Sequence, residues 1–172
     1  MNDPTGTYAF AYDNMGRLIG TTTSYSFLTS RSFTNAYTYD KNSNRTGFTD
    51  PESGSTTYAY DTLNRLTTLT PPSAITSGNF GFSYDALSRR TQMTRPNNVT
   101  TNYTYDNLSR LLSVLHQLSG GTIDGASYTV DAVGNRTAKA NHLPSAPAEA
   151  YTYDAIYQLT QVVQNGSTTT ES

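Results

Sequence analysis

One short phrase recurs along this chain, and it limits what the chain can fold into. It consists of two aromatic residues separated by one small residue, then an aspartate, then an arginine four or five positions on. Tyr103-Thr104-Tyr105-Asp106 with Arg110 is a full copy, as is Tyr58-Ala59-Tyr60-Asp61 with Arg65. Further copies are Phe10-Ala11-Tyr12-Asp13 with Arg17, Tyr37-Thr38-Tyr39-Asp40 with Arg45, and Phe82-Ser83-Tyr84-Asp85 with Arg89. Tyr128-Thr129-Val130-Asp131 with Arg136 replaces one aromatic, and Tyr151-Thr152-Tyr153-Asp154 has Gln158 at the arginine position. The seven aspartates are 21 to 27 residues apart. Recurrence at that period signals a repeat architecture, and the uneven spacing places the insertions in loops.

Each copy reads as a β-hairpin. Aromatics at i and i+2 lie on one face of a strand. The aspartate opens a turn, because its carboxylate accepts from backbone N–H groups two residues on. Asn64 falls where a type I turn followed by a left-handed residue needs positive φ. Gly16, Asn44, Ser88, Ser109 and Asn135 align with it. Arg45 and Arg136 come one residue late, which predicts a longer turn in those two copies. Met15, Leu63, Leu87, Leu108, Val133 and Ile156 are apolar within the turn, so they are expected to pack against neighbouring turns. The run Leu111–Leu118 reads as a strand in line with the other copies, although Leu108, Leu111, Leu112 and Leu115 also fit a helix. Asp50–Gly54, Pro71-Pro72, Arg95–Asn98, Ser119–Gly121 and Pro144–Pro147 read as loops between repeats. The tail from Asn165 to Ser172 reads as polar and frayed. The expected fold is all-β: an antiparallel meander of about seven hairpins in one domain, residues 1–172, forming a curved, open sheet.

Composition argues against several function classes. Charged residues make up 14% of the chain and the net charge is −2, with basic residues dispersed, so no nucleic-acid surface is expected. There is no cysteine for a disulfide or a thiolate metal site. No apolar run reaches the roughly 18 residues of a membrane helix, and Met1-Asn2-Asp3-Pro4 does not read as a signal peptide. The two histidines, His116 and His142, lie far apart in sequence, and neither a nucleophile elbow nor a phosphate loop is present. We expect no catalytic, cofactor or metal site. The recurring aspartates and arginines could bind ions or sugars along one face, but they read better as turn clasps, each arginine pairing with a neighbouring aspartate. The tyrosines could bind glycans, but they read better as packing rungs in register from hairpin to hairpin.

These motifs resemble the tyrosine–aspartate (YD) repeat of the Rhs and teneurin-like proteins, from about Tyr8 to Gln164. Asp13-Asn14-Met15-Gly16-Arg17-Leu18 and Asp131-Ala132-Val133-Gly134-Asn135-Arg136-Thr137 are close to the family's D-x-x-G-R-L and D-x-x-G-N-R-T forms. The resemblance implies a spiralling β-sheet that closes into a hollow shell, around a toxin domain in bacterial relatives and as part of an adhesion receptor in animal ones. It also implies a secreted or cell-surface location. The family's self-cleaving core segment is absent, and Asn2-Asp3-Pro4-Thr5-Gly6 reads as a worn repeat or loop.

The structural repeat residues are thus Tyr12, Asp13, Arg17, Tyr39, Asp40, Arg45, Tyr60, Asp61, Arg65, Tyr84, Asp85, Arg89, Tyr105, Asp106, Arg110, Asp131, Arg136, Tyr153 and Asp154. The expected function is a non-catalytic segment of a shell wall that encloses or delivers a partner toxin domain. The alternatives are an adhesion or carbohydrate-binding module, or a unit that self-assembles through open sheet edges. The expected partners are further YD-repeat chain or copies of itself, an enclosed domain, or glycans.

Overall fold

The structure is a computed structural model that describes residues 1–143 and 146–164, and the backbone of Ser167–Thr170. The chain divides into two compact units, residues 1–81 and 82–172. The first holds β1 (Asn2–Asp3), β2 (Gly6–Tyr12), β3 (Leu18–Tyr25), β4 (Ser32–Tyr39), β5 (Arg45–Thr49), β6 (Ser55–Tyr60) and β7 (Leu66–Thr70). The first residues of β8 (Phe80–Tyr84) pair with β7. The second unit continues with β9 (Arg90–Thr94), β10 (Thr100–Tyr105), β11 (Leu111–Leu118) and β12 (Gly121–Val130). It ends with β13 (Arg136–Asn141), β14 (Glu149–Tyr153), β15 (Leu159–Gln164) and β16 (Ser167–Thr170).

The meander expected from the repeats is what forms. Strands lie in sequence order, and the pairings within each unit are antiparallel. The Leu111–Leu118 run is a strand. Two strands lie outside the seven copies. The short β1 turns back onto Gly6 and Thr7, with the Asp3 carboxylate accepting from the Thr5 and Gly6 amides. In the polar tail, Ser167–Thr170 pairs with Gln161–Gln164, so this part is strand and not fray. Asn165, Gly166, Glu171 and Ser172, with Pro144 and Ser145 of the loop before β14, lie outside the described residues.

Within each unit a strand touches only its sequence neighbours. Ala126 is the one buried hydrophobic residue among the described residues. With so little core, order comes from the backbone ladder and from cross-strand pairs, each pair contributing roughly 0.2–1 kcal/mol. Every hairpin with a described register carries a bulge in the same place, just before the motif aspartate. Ala11 faces Gly20 while Tyr12 faces Leu18, and Thr104 faces Ser113 while Tyr105 faces Leu111. The bulge puts one extra residue on the return strand and increases its twist. In three hairpins that residue is a threonine whose hydroxyl donates across the hairpin: Thr67 to Ala59, Thr137 to Thr129 and Thr160 to Thr152.

Candidate functional site

The repeated turn is built the same way each time. In the Asp106 copy, the Asp106 amide donates to the Arg110 carbonyl and the Ser109 amide to the Asp106 carbonyl, both at 3.0 Å. One carboxylate oxygen of Asp106 accepts from the Leu108 and Arg110 amides at 2.8 and 2.9 Å. The other accepts from Arg110 Nε at 2.5 Å. This closure needs positive φ at the third residue after aspartate, found at Gly16 (75°), Asn64 (61°), Ser88 (62°) and Ser109 (62°). Tyr157 takes it as well, at 66°. Asp13–Arg17, Asp61–Arg65 and Asp85–Arg89 repeat the ion pair at 2.6, 2.7 and 2.7 Å.

The arginine therefore clasps its own aspartate, not a neighbour's. The Asp40 and Asp131 turns are also no longer than the rest. Asn44 and Asn135 stand in the arginine place and donate side-chain amides to Asp40 and Asp131, both at 2.9 Å. Ser43 (67°) and Gly134 (105°) take the left-handed position. Asparagine supplies the same donors on a shorter stem, which pushes Arg45 and Arg136 one place on without lengthening the loop. Asp154 accepts from the Ile156 and Gln158 amides, so the last turn closes without an arginine.

Two of the expected loops are the same turn at the other end of the hairpins. Asp50 closes on Gly54 with Ser53 at φ 67°, and Arg95 closes on Val99 with Asn98 at φ 62°. The signal was present in Asp50-Pro51-Glu52-Ser53-Gly54, where aspartate opens the turn and a small residue follows at the third and fourth places.

The turns are tied to one another. Arg17 Nη1 donates to the Asp40 carbonyl at 2.8 Å, and the guanidinium lies 4.9 Å from the Tyr39 ring centre. Arg89 does the same to Asp106 and Tyr105, at 2.9 and 4.9 Å. Arg110 reaches the Asp131 carbonyl at 2.6 Å. Where Asn44 replaces arginine, Asn42 and Asn44 both donate to Asn64 in the next turn. The tyrosines tie the hairpins in the opposite direction. The hydroxyls of Tyr39, Tyr60, Tyr105 and Tyr153 donate to the carbonyls of Leu18, Arg45, Arg90 and Arg136 in the preceding hairpin. Arg45 and Arg90 lie over Tyr58 and Tyr103 of the next hairpin, and Arg136 over Tyr128 of its own. The rungs are thus largely guanidinium on phenol. Tyr12 is exposed, and Tyr84 is half-buried.

Hydrogen bonding holds the motif carboxylates charged. The Arg17, Arg65 and Arg110 amides, assisted by the same residues' side chains, hold Asp13, Asp61 and Asp106 below the ordinary value of 3.8. The Asn44 side chain leads the same effect at Asp40. At Asp85 and Asp131 partial desolvation is the largest single influence and opposes the shift, but hydrogen bonds from Arg89 and Asn135 outweigh it. Ordinary turn chemistry accounts for these shifts, and none of them marks a group poised for proton transfer.

The apolar turn residues do not pack on one another. Met15, Leu63, Leu87, Leu108, Val133 and Ile156 are 62–70% exposed. Each sits at the outermost point of its turn, where the two strands diverge and no neighbouring side chain can reach it.

The histidines do not meet. His116 Nδ1 lies 2.9 Å from the Thr101 hydroxyl, which also accepts from Arg95. His142 Nε2 lies 2.9 Å from the Ser127 hydroxyl. Among the described residues, no three His, Asp or Glu side chains gather as metal ligands, and no helix is long and apolar enough to cross a membrane. A trough of about 490 Å³ in the second unit runs over the small side chains of Ser127, Ala138, Ala140 and Ala150. Its charged neighbours Lys139 and Glu149 pair with each other.

Bridged turns of this kind, repeated hairpin after hairpin on an antiparallel sheet, define a β-hairpin repeat protein. Residues 39–76 match the family described as RHS Repeat. With seven copies of its motif, the chain is a segment of Rhs (YD-repeat) sheet. The fold is that of a stretch of the TcdB2-TccC3 structures. It is similar to TcdB2-TccC3-Cdc42 with a TM-score of 0.77 at 18% identity, over 93% of this chain and 9% of that one. It is similar to the Photorhabdus luminescens Tc holotoxin pore with a TM-score of 0.76 at 19% identity, over 93% and 9%. TcdB2-TccC3 without its hypervariable C-terminal region gives 0.75 at 19%, over 93% and 9%. The chain therefore spans about 9% of the length of these proteins. No curated protein matches it in sequence.

Proposed function

We propose that this chain is a stretch of the wall of a YD-repeat shell in a secreted or surface protein. Its work is to enclose a partner domain, and it catalyses nothing. One observation carries the reading: the recurring charged and aromatic groups are spent on joining each hairpin to the next. Arg17 and Arg89 each engage their own carboxylate, the next turn's carbonyl and the next tyrosine ring. A side chain committed to three partners is poorly placed to bind substrate. The same contacts argue against glycan recognition, since guanidinium groups lie over the phenol faces that a sugar would use. The likeness to TcdB2-TccC3 supports enclosure as the purpose of such a sheet.

The test is a transplant. Residues 6–164 replace the matching stretch of TcdB2-TccC3, and the C-terminal region is assayed for protease resistance in the assembled protein. The proposal predicts protection close to that of the parent. Assembly of the shell with a C-terminal region open to protease would overturn it, as would turnover of a substrate abolished by one point substitution in the isolated chain.

A further inference from the structure

The turn tips of the second unit present a feature that the wall itself does not use. Leu87, Leu108, Val133 and Ile156 occupy the same place in four successive hairpins and are 63–70% exposed. The turn needs only the amide of that residue, which bonds to the aspartate carboxylate. Any polar residue would serve the turn as well and would suit water better. The residues on either side are uncharged: Ala86 and Ser88, Asn107 and Ser109, Ala132 and Gly134, Ala155 and Tyr157. The arginines and aspartates of these turns are drawn back into the bridges. Successive tips are two strands apart, roughly 9.5 Å at the usual strand spacing. The result is a straight, uncharged, aliphatic ridge along one edge of the sheet.

We propose that this ridge is a self-association surface, whose partner is the same ridge on a second copy of the chain. The argument is one of period and area. A row of side chains spaced by two strands leaves gaps of the same spacing, which a second such row fills by interdigitation. Four exposed aliphatic side chains in line make a patch on the order of 300–600 Å², a size that marks interaction sites on soluble proteins. Two such rows face to face approach the roughly 1,000 Å² that a specific interface needs. A two-fold arrangement makes the contact close on itself, pairing Leu108 with Val133 and Leu87 with Ile156 of the other copy. A lipid surface fits less well, since the ridge lacks the cationic face of membrane-binding elements and the chain carries a net charge of −2. The contact does not depend on whether the sheet encloses a partner.

The chain contains no cysteine, so disulfide trapping has a clean background. Leu108→Cys and Val133→Cys proteins, mixed and oxidised, are expected to give the heterodimer well above either homodimer. Sedimentation of the protein without substitutions is expected to show a monomer–dimer equilibrium. Replacing all four tips by serine should weaken it roughly tenfold or more, with an unchanged far-UV spectrum to show that the turns still close. A monomer at every accessible concentration would overturn the proposal. So would association indifferent to the serine substitutions, or cross-linking with no preference for the mixed pair. Flotation with neutral phosphatidylcholine vesicles by a monomeric protein, lost in the serine variant, would overturn it in favour of a membrane surface.

Discussion

Arg89→Ala is the sharpest perturbation of the bridge. In the native chain Arg89 Nη1 donates to the Asp106 carbonyl at 2.9 Å, a charge-assisted bond at a half-exposed position worth about 1.5 kcal/mol. Its guanidinium over Tyr105 adds about 0.5–1 kcal/mol. The ion pair with Asp85 is screened by water and adds little. Loss of the whole side chain should cost about 2–2.5 kcal/mol, and for a chain of this size that lowers Tm by about 4–10 °C. Arg90→Ala is the internal control. It removes a guanidinium of equal charge that stacks on Tyr103, and should cost only about 0.5–1 kcal/mol. Thermal melts of both variants, with Arg89→Ala/Tyr105→Leu to close a double-mutant cycle, provide the assay. The bridge predicts a coupling of about 0.5 kcal/mol or more between Arg89 and Tyr105. Equal losses for Arg89→Ala and Arg90→Ala, with no coupling, would refute the reasoning.

Three further outcomes are expected. Asp13, Asp40, Asp61, Asp85, Asp106 and Asp131 all titrate below 3.8 in the folded chain. The unfolded chain therefore binds more protons in that range, and the stability these groups contribute is present above the ordinary carboxylate value and lost as pH falls below it. Melts recorded at falling pH should show Tm dropping there, and a flat profile would contradict the clasp. Tyr157→Gly relieves a bulky residue at φ 66° and should stabilise by about 1 kcal/mol, read as a higher urea midpoint with an unchanged slope. Gly125→Ala should destabilise by about 1–3 kcal/mol, because Gly125 holds φ 140° and a Cβ there would press on the Val114 carbonyl; a melt like the parent's would show that β12 bends otherwise.

The strand plan was readable because its signal is redundant. Aromatics at i and i+2 before an aspartate specify a face and a turn, and Asn64 or Gly16 at the left-handed place admits few other closures. The errors arose where one residue type stands in for another. Asn44 and Asn135 supply the donors that arginine supplies elsewhere, so counting to the arginine misplaced the turn by one. Ser53 and Asn98 mark turns without the motif's aromatics, and both passed as loops. Direction in space was not legible at all. Nothing in the local sequence says that Arg89 clasps Asp85 with one nitrogen and reaches Asp106 with another, since Asp106 becomes a neighbour only when β9 and β10 pair. The tips misled for the same reason. Leu108 is apolar, and apolar residues are usually covered, but the turn lifts it beyond the reach of every other side chain in its unit.

The most direct test of the account is electron cryomicroscopy of the TcdB2-TccC3 chimaera carrying residues 6–164. The account predicts an unbroken wall in which the Arg17 and Arg89 side chains bridge consecutive hairpins and reach the Asp40 and Asp106 carbonyls. A gap in the wall at the transplanted hairpins, or arginines turned out to solvent in an intact wall, would contradict it.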